Sequence, residues 1–149
     1  MPFFETIFVN LQQWAWAPLL LSRIAIGVFF ALTGWGKISS TQGIQKMQET
    51  MREAGVPFPD FNGIFVSWVE FIFGVLLAIG LLTPLACLML LAVMVVATLT
   101  VKVKGIEADS ASDWLTEFLS TTDVLYVLLL LWIFFTGPGP LSLDGLFFI

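Results

Sequence analysis

The sequence contains no histidine and only one cysteine in 149 residues. Without histidine, the chain cannot form His-ligated haem or the usual zinc sites, and it lacks the commonest general base. The single thiol, Cys87, can form neither an internal disulfide nor a CxxC pair, so we interpret it as a small packing residue. These absences exclude a thiol-oxidase role for the chain alone, and no metal site is predicted.

Charged residues are also scarce. They make up 11% of the chain, whereas a soluble domain carries roughly a quarter. Hydrophobic residues make up 58%, which is more apolar surface than a soluble fold of this length can bury. There is no basic stripe, so nucleic acid is not an expected partner. The composition therefore predicts an integral membrane protein, with a single domain over residues 1–149.

Four apolar stretches predict transmembrane helices at about residues 17–37, 64–82, 84–102 and 118–136. A helix needs about 20 residues to cross ~30 Å of hydrocarbon. The uncharged part of the fourth stretch, Val124 to Thr136, is shorter than that. Either this helix extends back to Phe118, which places Asp123 in or at the edge of the membrane, or it is short and thins the bilayer locally.

The connections between these helices carry typical helix-ending residues. Gly80 suits a helix end, Thr83 an N-cap and Pro84 a first helical position, so the second and third helices form a hairpin. The linker 41–55 has apolar residues at helical spacing opposite a charged face, which predicts an amphipathic helix at the membrane surface. The predicted fold class is all-α: an integral membrane four-helix bundle with short interfacial amphipathic helices, surrounded by membrane lipids.

Positive charge is distributed asymmetrically along the chain. Apart from Arg23, every Lys and Arg lies in or beside the first or third connection: Lys37, Lys46, Arg52, Lys102 and Lys104. The positive-inside rule then places these connections in the cytoplasm and both termini outside it.

A few ionisable residues fall within the apolar stretches, where a charge is costly and needs a partner or a function. We predict one cluster of Lys37, Glu70 and Asp123 near the cytoplasmic side. A second cluster joins Arg23 to Asp144 near the outer side if the C-terminal tail folds back; longer helices would instead let Arg23 pair with Glu70. Such groups serve either structural pairing or a site for a polar ligand, a proton or a quinone headgroup.

Aromatic residues near these charges complete the candidate site. Trp35 and its aromatic neighbours suit lipid-facing or packing surface, or a wall for a flat apolar ligand such as a quinone. Tyr126 offers a hydroxyl group within the bundle. Both are therefore included among the candidate residues.

Three segments resemble the DoxX family. The run 23–37 resembles the pattern R-x3-G-x-x-F-x3-G-x-x-K of the family's first helix, the run 70–83 its second helix and turn, and the run 137–144 its C-terminal signature. The resemblance implies a multi-pass, four-helix protein of the bacterial inner membrane. Because the family is named after a subunit of a quinone-reducing thiosulfate oxidoreductase, it also implies quinone as a ligand and a membrane or peripheral redox partner protein.

Three functions remain open from the sequence. The first is a subunit of a membrane oxidoreductase system that handles quinone, with electrons supplied by a partner because the chain has no evident redox centre or nucleophile. The second is a non-enzymatic scaffold or assembly factor, which would use the linker around Met47 and Met51 as its contact surface. The third is a small transporter or lipid-binding protein, which would have to form a homo-oligomer.

Overall fold

The computed structural model describes residues 13–102 and 110–147. Its helices are α1 (Trp16–Ile38), α2 (Thr41–Glu53), α3 (Pro59–Ile79), α4 (Thr83–Ala97, continued by a π-helical turn, Thr98–Lys102), α5 (Ala111–Ser120), α6 (Thr122–Thr136) and α7 (Leu143–Phe147). No strand occurs in the described ranges. Three helices are long and apolar enough to cross a membrane, and the bent pair α5–α6 supplies a fourth if it counts as one span. The predicted all-α membrane bundle is confirmed.

Helices α1 and α3 pack with their backbones in close contact. A Cβ atom added to Gly27 would lie 2.4 Å from the backbone nitrogen of Ala78, and one added to Gly34 would lie 2.5 Å from that of Phe71. Gly74 of α3 is enclosed by the α1 backbone in the same way. Small residues allow this approach, which is a common way for membrane helices to associate. The contact fixes the register between the two helices.

The apolar core lies where four helices converge. Its fully buried side chains come from α1, α3, α4 and α6 and include Phe30, Leu77, Leu90, Leu130 and Ile133. Many other large apolar side chains on these helices are exposed, as expected where a helix faces lipid rather than water.

The amphipathic helix predicted for residues 41–55 is α2. The hydroxyl of Ser40 accepts a hydrogen bond from the amide of Gly43 and caps the helix. Near its other end, the guanidinium of Arg52 lies 3.0 Å from the carboxylate of Asp60 in the first turn of α3. These contacts hold α2 against the start of α3.

The second predicted span, 64–82, has different limits in the structure. Helix α3 begins at Pro59 because Phe58 adopts a left-handed conformation and the proline ring favours the first helical turn. It ends at Ile79 because Gly80, at φ 71°, reverses the chain, as Gly80 was predicted to do.

The fourth predicted span, 118–136, is not one straight helix. Helices α5 and α6 meet at a bend of 64°. At the bend Thr121 has an extended backbone, and the hydroxyls of Ser120 and Thr121 donate to the carbonyl oxygen of Glu117. Side-chain hydrogen bonds of this kind compete with helix continuation. With 15 residues, α6 is about 22 Å long, which matches the short-helix alternative.

Candidate functional site

A cavity of about 590 Å³ lies among α1, α2, α3, α4 and α6. Most of its lining is aliphatic and aromatic. Its polar lining residues are Thr33, Lys37, Thr50, Asn62, Glu70, Thr100, Asp123 and Tyr126. A mainly apolar cavity of this size with a few polar groups is typical of small-molecule sites. We call it the intramembrane cavity.

An ion pair between α1 and α3 lies in the wall of this cavity. The ammonium nitrogen of Lys37 lies 2.5 Å from Oε2 of Glu70. The Glu70 side chain is 8% exposed and that of Lys37 is 29% exposed. The close packing of α1 on α3 brings the two together, as the charge pattern predicted. The direct pairing of Arg23 with Glu70 that we had considered is absent from the described residues.

The third member of the predicted cluster, Asp123, approaches the cavity from another helix. It lies in the first turn of α6 and lines the same cavity as Lys37 and Glu70. Among the described residues it forms neither a hydrogen bond nor an ion pair, so the predicted contact with Lys37 and Glu70 is not made. Asp123 therefore shares the cavity with the ion pair without being bonded to it.

Aromatic rings form one wall of the intramembrane cavity. The ring of Tyr126 lies 4.6 Å from that of Phe29 and 5.9 Å from that of Phe30, measured between centroids. All three residues line the cavity. The rings offer a flat ligand an apolar surface between α1 and α6.

Trp35 does not belong to this site. Its ring packs 5.4 Å from that of Phe71 on the outside of the bundle and is 53% exposed. Trp35 and Lys37 are two positions apart, so they point to different sides of α1. The prediction of Trp35 as a ligand-binding residue is therefore not supported by its position.

The charged residue of α1 near the opposite end of the bundle is Arg23, which is 2% exposed. Its guanidinium donates to the carbonyl oxygen of Pro138 and, at 2.6 Å, to that of Leu141. The C-terminal tail therefore folds back over the bundle. The hydrogen bonds of Arg23 go to backbone carbonyls, and the charges of Arg23 and Asp144 also interact, so the two residues of the predicted second cluster lie near each other without a hydrogen bond between their side chains.

Asp144 instead caps α4. Its carboxylate oxygens accept the backbone N–H groups of Leu82 and Thr83, each at 2.7 Å. Thr83 was predicted as the N-cap, but Leu82 occupies that position with φ 50° and offers no side-chain acceptor. Burial acts to raise the pKa of Asp144, yet the hydrogen bonds from Thr83 and Leu82 and the charge of Arg23 outweigh it, so this pKa lies below its ordinary value.

Helix α2 contributes a wall of the cavity that the sequence did not indicate. Met47, Thr50 and Met51 face the cavity from α2, and Met51 is 7% exposed. The amphipathic pattern predicted that this helix lies at the membrane surface. The apolar face of the helix was the one feature of the sequence that could have indicated its contact with the cavity. The path of the chain through Gly55 and Phe58 determines whether this apolar face lies against the membrane surface or against the cavity.

The geometry defines a helical membrane protein with polar groups gathered around a mainly apolar cavity. The sequence model of the DoxX family matches residues 18–103. Because this match spans more than half of the chain, the protein belongs to the DoxX family. No curated protein and no solved structure shows significant similarity to the chain.

Proposed function

We propose that this DoxX-family protein binds a quinone, or a similar flat apolar molecule with a polar headgroup, in the intramembrane cavity. In this role it is a membrane subunit of an oxidoreductase system. One observation carries the proposal: the Lys37–Glu70 ion pair lies in the wall of a cavity that is otherwise mainly apolar and aromatic.

The composition of the cavity supports such a ligand. The Phe29 and Tyr126 rings suit contact with a flat ring, and the remaining apolar lining suits a hydrocarbon tail. The ammonium of Lys37 donates one of its three hydrogens to Glu70, which leaves others for a headgroup oxygen. The chain would thus bind and orient the ligand and exclude water from its headgroup.

Electron transfer requires a further protein or a bound cofactor in this proposal. The chain has no histidine and one buried cysteine, Cys87. A membrane or peripheral redox partner is therefore proposed, and homo-oligomerisation is compatible with the same role. From the membership of the DoxX family, we also propose the bacterial inner membrane as the location. From the distribution of Lys and Arg, we propose that both termini lie outside the cytoplasm.

The burial of Met51 favours ligand binding over the scaffold alternative. A scaffold that used α2 as its contact surface would need the apolar face of that helix to be accessible. Met51 is 7% exposed, and both it and Met47 face the cavity. The exposed face of α2 is polar, which gives an assembly factor little apolar surface to recognise.

Equilibrium binding of decylubiquinone to the full chain in nanodiscs tests the proposal. Saturable binding is expected, measured by isothermal titration calorimetry. Ala97→Phe places a ring in the cavity and should weaken binding at least about tenfold, since the added ring occupies space that the ligand would fill.

The matched control is Ala25→Phe, an identical change at an exposed position of α1 outside the cavity. It should bind decylubiquinone like the unmodified protein. Absence of saturable binding, or equal affinities for the Ala97→Phe and Ala25→Phe variants, would overturn the proposal.

A further inference from the structure

The threonine hydroxyls in the intramembrane cavity already donate their protons to backbone carbonyls. Thr33, Thr50 and Thr100 line the cavity from α1, α2 and the π-helical turn. Each hydroxyl donates to a carbonyl oxygen of its own helix, at 3.0, 2.9 and 2.7 Å respectively. A hydroxyl has a single proton, so these three can offer a ligand only oxygen lone pairs.

The charged groups add further acceptors. Among the residues that the structure describes, two carboxylates, Glu70 and Asp123, line the cavity together with one cation, Lys37. Oε2 of Glu70 accepts from Lys37, and within the described part of the chain Oε1 has no hydrogen bond. Asp123 has no hydrogen bond or ion pair there either. The described lining of the cavity thus has one more carboxylate than cations.

In the described lining, hydrogen-bond donors are fewer than acceptors. They are the remaining N–H groups of Lys37, the hydroxyl of Tyr126 and an amide hydrogen of Asn62, whose side chain already donates to the carbonyl of Pro57. A headgroup that can only accept hydrogen bonds would satisfy these donors. It would leave the partly buried Asp123 carboxylate without a partner from the ligand, which costs free energy.

We infer that the intramembrane cavity selects ligands whose headgroup donates hydrogen bonds. This inference rests on the proposed function and specifies its ligand: of a quinone pair, the protein binds the quinol, which has two hydroxyls, more tightly than the quinone, which has two carbonyls. A hydrogen bond from a hydroxyl to a carboxylate is charge-assisted and about twice as strong as a neutral one. Sites built to bond a hydroxyl discriminate strongly against analogues that lack it.

Asp123 is the residue assigned to receive a quinol hydroxyl. It precedes Tyr126 by three positions on α6, so the two side chains share the cavity side of that helix. A ligand ring against Tyr126 and Phe29 would bring its headgroup toward the first turn of α6. The carboxylate also interacts favourably with the N-terminal end of the helix dipole. This second role is purely structural, so the test must distinguish it from ligand recognition.

The test compares the dissociation constants of decylubiquinol and decylubiquinone for the full chain in nanodiscs, under anaerobic conditions. The quinol should bind about tenfold more tightly, which corresponds to a midpoint potential of the bound couple about 30 mV higher than that of the free couple. Asp123→Asn should weaken quinol binding and reduce the preference to less than about threefold. It should not weaken quinone binding.

Glu117→Gln is the matched control, since it makes the same acid-to-amide change at an exposed position of α5 outside the cavity. It should keep the full preference. If Asp123→Asn does not fold, as judged by its melting temperature, Thr33→Val removes an acceptor with little change of shape and should also reduce the preference.

The outcomes separate the two proposals. Equal affinities for the two ligand forms, or tighter quinone binding, would overturn this inference and leave the proposed function intact. A lower melting temperature of the Asp123→Asn variant with an unchanged preference would overturn the role assigned to Asp123. Failure of both forms to bind would overturn the proposed function itself.

Discussion

The ammonium of Lys37 lies 2.5 Å from the carboxylate of Glu70, which joins the last turn of α1 to the middle of α3. The glycine contacts between these helices leave their register little freedom. The pair is therefore held in place by packing, and one side of it faces the intramembrane cavity. It can both stabilise the bundle and position a ligand.

Removal of the cation from this pair should destabilise the protein. Lys37→Met leaves the carboxylate of Glu70, whose side chain is 8% exposed, without its partner. We expect a loss of about 2 kcal/mol of unfolding free energy, less than for a fully buried pair because the ammonium is partly exposed. Denaturant titration of the protein in detergent measures the loss.

A charge swap tests the pairing itself. The double variant Lys37→Glu with Glu70→Lys should regain much of the stability that each single variant loses. The arrangement of α1 on α3 would be contradicted if Arg23→Glu restored the stability of the Glu70→Arg variant and Lys37→Glu did not.

The α1–α3 contact predicts opposite effects for two neighbouring glycines. Gly34→Ala places a methyl group 2.5 Å from the backbone nitrogen of Phe71, so the helices must separate and stability should fall by about 1–3 kcal/mol. Gly36→Ala meets nothing within 4 Å and should be neutral or stabilising by up to about 1 kcal/mol. Thermal unfolding of both variants measures the difference, and similar losses for the two would refute the close packing.

The cap on α4 predicts a dependence of stability on pH. Asp144→Asn replaces a carboxylate that accepts two amide hydrogens at the start of α4, and should cost about 1–2 kcal/mol at neutral pH. Because the pKa of Asp144 is lower when the protein is folded, its ionised form contributes stability above the unfolded pKa of about 3.9. That contribution disappears as the pH falls through the lower, folded pKa.

Unfolding of both proteins between pH 7 and pH 3 tests this dependence. The difference between the unmodified protein and the Asp144→Asn variant should be constant near neutrality and shrink only in acid. A difference that grows as the pH falls would show that Asp144 does not act as an ionised cap.

The proposed orientation can be tested by chemical labelling. In a Cys87→Ala background, Pro140→Cys and Gln45→Cys each place a thiol at an exposed position. A membrane-impermeant maleimide should label Pro140→Cys in intact spheroplasts, and Gln45→Cys only after lysis. The reverse pattern would place both termini in the cytoplasm.

The helix bundle and the Lys37–Glu70 ion pair were predictable because each follows from a strong physical constraint that can be read from the sequence. The lengths of the apolar stretches indicate the helices, and the cost of isolated charge in lipid requires partners for Lys37 and Glu70. The return of the C-terminal tail to Arg23 was one of two alternatives that the same reasoning left open. The tail's carbonyl acceptors were not predicted, because every residue has a carbonyl and none is distinctive in sequence.

Features that depend on distant contacts, or on local hydrogen bonds of similar strength to those of the helix, were not predictable. The cap that Asp144 provides for Thr83 joins residues 61 positions apart, so nothing near Thr83 indicates it. The bend at Thr121 depends on side-chain hydrogen bonds that compete closely with helix continuation. The outward position of Trp35 depends on which side of α1 meets α3, and aromatic residues suit either side.

Photo-crosslinking with an azidoquinone in native membranes tests most directly whether the buried polar groups serve a guest molecule. Mass spectrometry of the labelled peptides should locate adducts on cavity-lining residues, above all in the run 92–100 of α4 and its π-helical turn and around Phe29. Excess decylubiquinol should suppress these adducts, and Ala97→Phe should sharply reduce their yield. Adducts confined to the outer surface around Trp35, or unchanged by Ala97→Phe, would contradict the account.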